Sequence, residues 1–243
     1  MKFTEDFGSA TGAKRAGMRA ALGMPALVLG ASYIGFGALI RQSGLTLPQG
    51  LASTIAGWAL PGQIALVEVY AAGGTLVAAA LAVALANARL LPMVLTLMPL
   101  LRADEKRLKA RYFLAAHFIA ITGWAITMQR APDMPPAQRL SFFAGFTVAL
   151  WISTVLCTAL GFVLVGVLPS YVTLGLVFIN PLYFMLIFTA DFRRSDRALA
   201  LAFGAVLGPL FYLVDPDWGL LATGVIAGTL AFAIDSRLSE GAK

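Results

Sequence analysis

From Leu140 to Ala190 the chain runs 51 residues without an Asp, Glu, Lys, Arg or His. One bilayer crossing takes about 20 apolar residues, so this run is long enough for two membrane helices and a turn. Stretches 20–40, 42–67, 69–88, 198–214 and 218–234 also lack charge, and charged residues gather at 102–111, 130–139 and 191–197. A membrane β-barrel would show segments of about ten residues with alternating polarity, whereas these runs are continuous. Hydrophobic residues make up 59% and charged ones 12%, which leaves no room for a separate soluble domain.

The sequence therefore predicts an all-α, polytopic integral membrane bundle. Apolar segments fall near 16–41, 50–70, 75–101, 113–129, 140–168, 171–190, 197–214 and 217–236. If all crossed simply from a cytoplasmic N-terminus, the basic loop 102–111 would lie outside, against the positive-inside rule. Two segments are suspect: the second, interrupted at Trp58-Ala59-Leu60-Pro61-Gly62-Gln63, and the fourth, short and polar around His117, Thr122 and Gly123. If the second were re-entrant or broken, loop 102–111 would move to the cytoplasm and loops 130–139 and 191–197 would move outward; if the fourth failed to cross, loops 102–111 and 130–139 would share a side. The expected organisation is a cytoplasmic polar leader at 1–15, a transmembrane domain of about seven spans at 16–236 with one or more Pro/Gly-interrupted helices, and a polar tail at 237–243. The run after the leader reads as a retained first helix. The net charge of +6 fits a cytoplasmic excess of Lys and Arg facing membrane lipid, with no role for nucleic acid. A single cysteine, Cys157 in the middle of an apolar run, excludes an intrachain disulfide and a cysteine-based metal site.

Chemistry becomes possible where helices are interrupted. A proline inside a helix removes a hydrogen bond, and broken membrane helices can hold a substrate near the midplane on their exposed backbone termini. Pro25, Pro61, Pro92 and Pro181 lie within apolar segments, and Pro61 stands out beside Gly57, Gly62 and Gln63. The plain alternative is a simple kink. Asn87 and Arg89 form a second polar group. A guanidinium at a helix centre costs roughly 2.5–3.5 kcal/mol on insertion scales and needs protein or water around it. Arg89 thus either binds a carboxylate through paired hydrogen bonds, or sits where the segment breaks at Asn87 and snorkels to an interface. Glu68 either pairs with Arg89 or carries a coupling proton, or is simply interfacial. His117, the lone histidine, is a proton relay or a helix-end residue. Two GxxxG patterns, Gly204/Gly208 and Gly224/Gly228, predict packing of the last two helices on each other or docking of a second subunit. GxSxG, HExxH, Walker and Cys/His-cluster signatures are missing, so neither an enzyme, a cofactor nor a metal is expected.

The order of motifs resembles the AzlC family, the large subunit of branched-chain amino-acid exporters. Carrying the resemblance are Pro25, Gly35-Phe36-Gly37, Gly44-Leu45, the run from Ser53 through Ala59 to Gln63, Asn87-Ala88-Arg89, Asn180-Pro181-Leu182-Tyr183-Phe184 and the Gly-rich final helices. It implies a secondary transporter in the cell (inner) membrane that exports valine, leucine, isoleucine or methionine with a small AzlD-type membrane subunit. Two departures bear on substrate. Thr122-Gly123-Trp124 stands where the family commonly has Thr-Asp-Glu, and Leu60-Pro61-Gly62 replaces small residues before Gln63. The expected site holds a hydrophobic amino acid. Arg89 or backbone amides near Pro61 take its carboxylate, Gln63, Asn87 and Asn180 hydrogen-bond it, Trp58 and Trp124 wall its side chain, and Glu68 couples protons. A transporter or channel for another small solute, or a non-transporting membrane assembly protein, is the competing reading.

Overall fold

The computed structural model describes residues 5–102, 109–165, 195–214 and 216–240, with isolated positions between 169 and 182, and every regular element among them is a helix. It divides into two compact units, Met1–Asn180 and Pro181–Lys243. The first contains α1 (Ala10–Ala21), α2 (Met24–Gln42), α3 (Leu47–Ala56), α4 (Leu60–Ala71), α5 (Leu76–Asn87), α6 (Leu90–Arg102), α7 (Ala110–His117), α8 (Ile121–Arg130) and α9 (Pro136–Val163). The second contains α10 (Ser195–Val214) and α11 (Pro216–Glu240), which pack against each other.

Four of the apolar segments are thus pairs of helices, the second of them broken where the sequence marked an interruption. The segment at 16–41 breaks at Leu22-Gly23, the second at Gly57–Ala59, the third at Ala88-Arg89 with a 47° bend, and the fourth at Phe118–Ala120. The prolines explain two of these breaks. Pro25 and Pro61 occupy the first turns of α2 and α4, where the missing N–H is an orphan in any helix, so they start helices and do not kink them. Among the described residues two helices, α2 and α9, are candidate spans by length and apolarity, and α5 with α6 makes a third if the bent pair is one span.

α9 is the axis of the first unit. At ~1.5 Å per residue its 28 residues reach about 42 Å, more than the ~30 Å hydrocarbon core. α1 and α2 cross it through the same device. A Cβ on Gly17 would overlap the carbonyl of Phe142, and one on Gly145 that of Lys14; at the second crossing Gly37 meets the carbonyl of Thr158, and Gly161 that of Ile34. Among lipid tails no hydrophobic drive brings helices together, so close backbone approach of this kind supplies the dispersion and Cα–H···O contacts that hold them. The GxxxG glycines behave differently. No described atom lies within 4 Å of a Cβ placed on Gly204, Gly224 or Gly228, and Gly208 meets only Thr223.

Two short helix pairs enter from opposite ends of α9. α3 comes from its C-terminal end, with Thr54 beside Thr158 and then Trp58 beside Thr154. The chain then turns back, because Gln63 of α4 lies alongside Ser53 and Thr54 of α3. α7 comes from the N-terminal end: Arg111 and Leu114 share a cavity with Leu140 and Ser141, and Phe118 reaches Trp151. α8 returns, with Gly123 against Thr147 and Arg130 over the ring of Phe142. The fourth segment is therefore a hairpin, and its two ends, at Arg111 and Arg130, lie at one end of α9.

The remaining connections fit this frame. α4 and α5 join through Gly73, whose φ of +73° is a left-handed value that favours glycine, in a turn closed by Gly74 N–H to Val69 O at 2.8 Å. That pairing lays Asn87 on Gly62. α6 then runs toward the N-terminal end of α9, where Leu97 and Leu101 pack with Ala115 and Phe143. The leader docks at the same end: Glu5 N–H donates to Asp133 O at 3.0 Å, Gln138 Nε2 donates to Asp6 at 2.7 Å, and Phe7 stacks on Phe142.

Candidate functional site

The two hairpin tips meet halfway along α9. Trp58, in the α3–α4 break, lies edge-to-face with Phe118, in the α7–α8 break, at 6.3 Å between centroids, and Phe118 in turn meets Trp151 of α9 at 5.7 Å. His117 ties the tips a second time, with Nε2 at 3.2 Å from the carbonyl oxygen of Ile55. Since a carbonyl only accepts, this contact requires a proton on Nε2. Ile55 lies in the last turn of α3, where the terminal carbonyls lack helical partners.

Behind the first tip is a buried polar network. Tyr33 Oη of α2 donates to Gln63 Oε1 at 2.9 Å, and Gln63 Nε2 donates to Ser53 Oγ and Thr54 Oγ1, each at 3.1 Å. Thr54 lies 3.2 Å from the Thr158 hydroxyl, and Trp58 Nε1 donates to Thr154 Oγ1 at 2.9 Å. Gln63 is 3% exposed, so an unmet amide there would be costly, and the network supplies a partner for its oxygen and both N–H groups. Its physical role is to fix the α3–α4 reversal onto α2 and α9.

Three features leave hydrogen-bonding capacity unspent at this level. α4 and α8 begin at Ala59 and Ala120, whose side chains cannot cap, so neither N-terminus is closed by a side chain. Asn87, pressed on the first turn of α4 at Gly62, keeps a buried Oδ1 without a partner among the described residues. Trp151 Nε1 is likewise buried and unpartnered. Helix N-termini carry partial positive charge and free N–H groups, and therefore suit an anion. The aromatic edges beside them suit an apolar group.

A family model described as AzlC protein matches residues 25–168, more than half of the chain. The chain belongs to the AzlC family. No curated protein and no solved structure gives a match. The AzlC match spans α2 to α9 and so contains both hairpins and every group just described. AzlC membership and the long apolar helices agree on a membrane protein with a transport role.

In this AzlC protein the residues singled out from sequence separate into three groups. Trp58, Pro61, Gln63 and Asn87 come together at the first tip. Arg89 is exposed at the α5–α6 break, two residues past Asn87, and has no ion-pair partner among the described residues; Glu68 is exposed on the last turn of α4 and does not reach it. Trp124 lies apart from Trp58, in the seam of α6 and α8, where its Nε1 donates to Thr96 at 2.9 Å. Asn180 lies outside the described residues. Sequence reasoning missed Tyr33, Phe118, Trp151, Thr154 and Thr158. A signal existed for the last three: with Thr147 they recur at 147, 151, 154 and 158, one stripe of the helix.

Proposed function

We propose that the protein is a secondary transporter that exports hydrophobic amino acids, working as the large subunit of a pair with a small AzlD-type membrane protein. The observation that carries this reading is the meeting of two uncapped half-helix tips around an aromatic cluster. The N-termini of α4 and α8 hold the substrate carboxylate, Asn87 Oδ1 accepts from its ammonium group, and Trp58, Phe118 and Trp151 wall its apolar side chain. Gln63 shapes the site from behind. Arg89, a cation at the depth of the tips, needs protein or water around it, and the small subunit covers it together with the exposed Leu81 and Leu85 of α5.

The topology that follows replaces about seven spans, one or more of them interrupted, with six crossings and two opposed half-depth hairpins. Crossings are assigned to α2, the bent α5–α6 pair, α9, the charge-free segment 171–190, α10 and α11. With the N-terminus cytoplasmic, all of the 18 Lys and Arg except Arg41 and Arg89 then fall on the cytoplasmic side, including loops 102–111, 130–139 and 191–197. The conflict raised by eight simple spans disappears. The membrane is the cell (inner) membrane.

Efflux from dipeptide-loaded cells tests the function, with the protein expressed alone and with an AzlD-type subunit. Export of valine, leucine, isoleucine or methionine only when both are present supports the reading. A protein that reaches the membrane beside its partner and exports none of them contradicts it.

A further inference from the structure

Behind the second hairpin lies a cavity of about 290 Å³ between α1, α7 and α9. Its walls are apolar, from Leu114, Leu140, Phe143 and Val148, and Phe118 closes its inner side. Lys14 and Arg111, from elements far apart in sequence, are also among the residues that line it. Both are exposed, and Arg111 also donates to Tyr112 Oη at 3.1 Å, which holds its guanidinium near α7. Beside the cavity α7 leaves Phe113 and Leu114 68% and 63% exposed.

We infer that this cavity is a binding site for an anionic phospholipid of the cytoplasmic leaflet. Its phosphate lies between Lys14 and Arg111 and the start of an acyl chain fills the apolar interior. Two cationic residues lining an apolar slot match a molecule with both an anionic head and a hydrocarbon tail, and basic pockets between membrane helices on the cytoplasmic side suit such lipids. A lipid wedged here presses on Phe118, the residue at which the second tip touches Trp58 and Trp151. Occupancy thereby sets the position of the second hairpin.

The test uses the full-length protein in neutral detergent, titrated with phosphatidylglycerol or phosphatidylcholine, with bound lipid counted by native mass spectrometry and melting followed in parallel. Phosphatidylglycerol should stay bound and raise the melting temperature by about 5 °C at concentrations well above its dissociation constant, with no such rise from phosphatidylcholine. The Lys14→Gln/Arg111→Gln pair should lose that response. Ala144→Leu keeps both charges and fills the cavity, and should lose it too, which separates the site from general surface charge. An undiminished phosphatidylglycerol response in Ala144→Leu would overturn the proposal. So would a full response to glycerol phosphate, which would mark a bare anion site, or displacement of the lipid by leucine, which would mark a vestibule for substrate.

Discussion

The two hairpins reach the same depth by different means. The first is fixed by side-chain hydrogen bonds: Gln63 alone joins α4 to Tyr33 of α2 and to Ser53 and Thr54 of α3, and Trp58 is bonded to α9. The second is held by aromatic edges, the His117 contact and Trp124 to Thr96, and it has a cavity at its back. Packing density and polar satisfaction decide which part of a fold moves, since local opening follows the region with fewer buried, mutually supporting contacts. Under the proposed function this contrast makes the first hairpin the fixed wall of the site and the second its gate.

Gln63→Leu should have the largest effect. It strands the buried Tyr33 hydroxyl and takes the amide donor from Ser53 and Thr54, whose hydroxyls keep Gly50 O, a loss of about 2–4 kcal/mol, with a melting temperature lower by about 10 °C and no transport. A variant that melts normally would show that the network does not fix the first hairpin. Trp58→Phe comes next. It removes the bond to Thr154 and keeps most of the ring, for about 1 kcal/mol; Thr154→Val should match it, and the double variant should melt no lower than either single one.

On the second hairpin the order of effects reverses. Phe118→Leu and His117→Gln should change transport at least tenfold while shifting the melting temperature by less than about 3 °C, because few buried polar groups lose partners there. If His117→Gln melted the protein as far as Gln63→Leu does, the contrast between wall and gate would collapse. The smallest effect concerns the leader. The Gly8 N–H and the Gln138 amide hold the Asp6 carboxyl below its ordinary range. A depressed folded-state value stabilises above the unfolded value and is lost as pH falls through the folded one. Melting measured from about pH 6 down to about pH 3 should therefore show a small extra loss that Asp6→Asn removes, since the amide no longer titrates.

Much of this was legible in the sequence, and what was hidden has physical causes. Charge-free runs gave the helical membrane class, and Trp58 to Gln63 and the short fourth segment marked both interruptions. Depth was not legible. Two half-helices of about ten residues add up to the length of one span, so hydropathy cannot separate a crossing from a hairpin that returns. The closest helix contacts were also hidden, because Gly17, Gly37, Gly145 and Gly161 pair across different helices and leave no spacing on one. The GxxxG patterns had the spacing without close contacts among the described residues. Trp124 drew notice by its neighbours Thr122 and Gly123, whereas Phe118 and Trp151 are brought together only by the fold.

Accessibility of single cysteines tests the central claim most directly. In intact cells carrying Cys157→Ser, cysteines placed at Gly74, Lys106, Asp133 and Asp215 are challenged with a membrane-impermeant maleimide. Two opposed hairpins predict labelling at positions 74 and 215 from outside, and at 106 and 133 only after the membrane is opened. Labelling of position 106 and not 133 from outside would mean that the fourth segment crosses, and would contradict the account of two tips meeting at mid-depth.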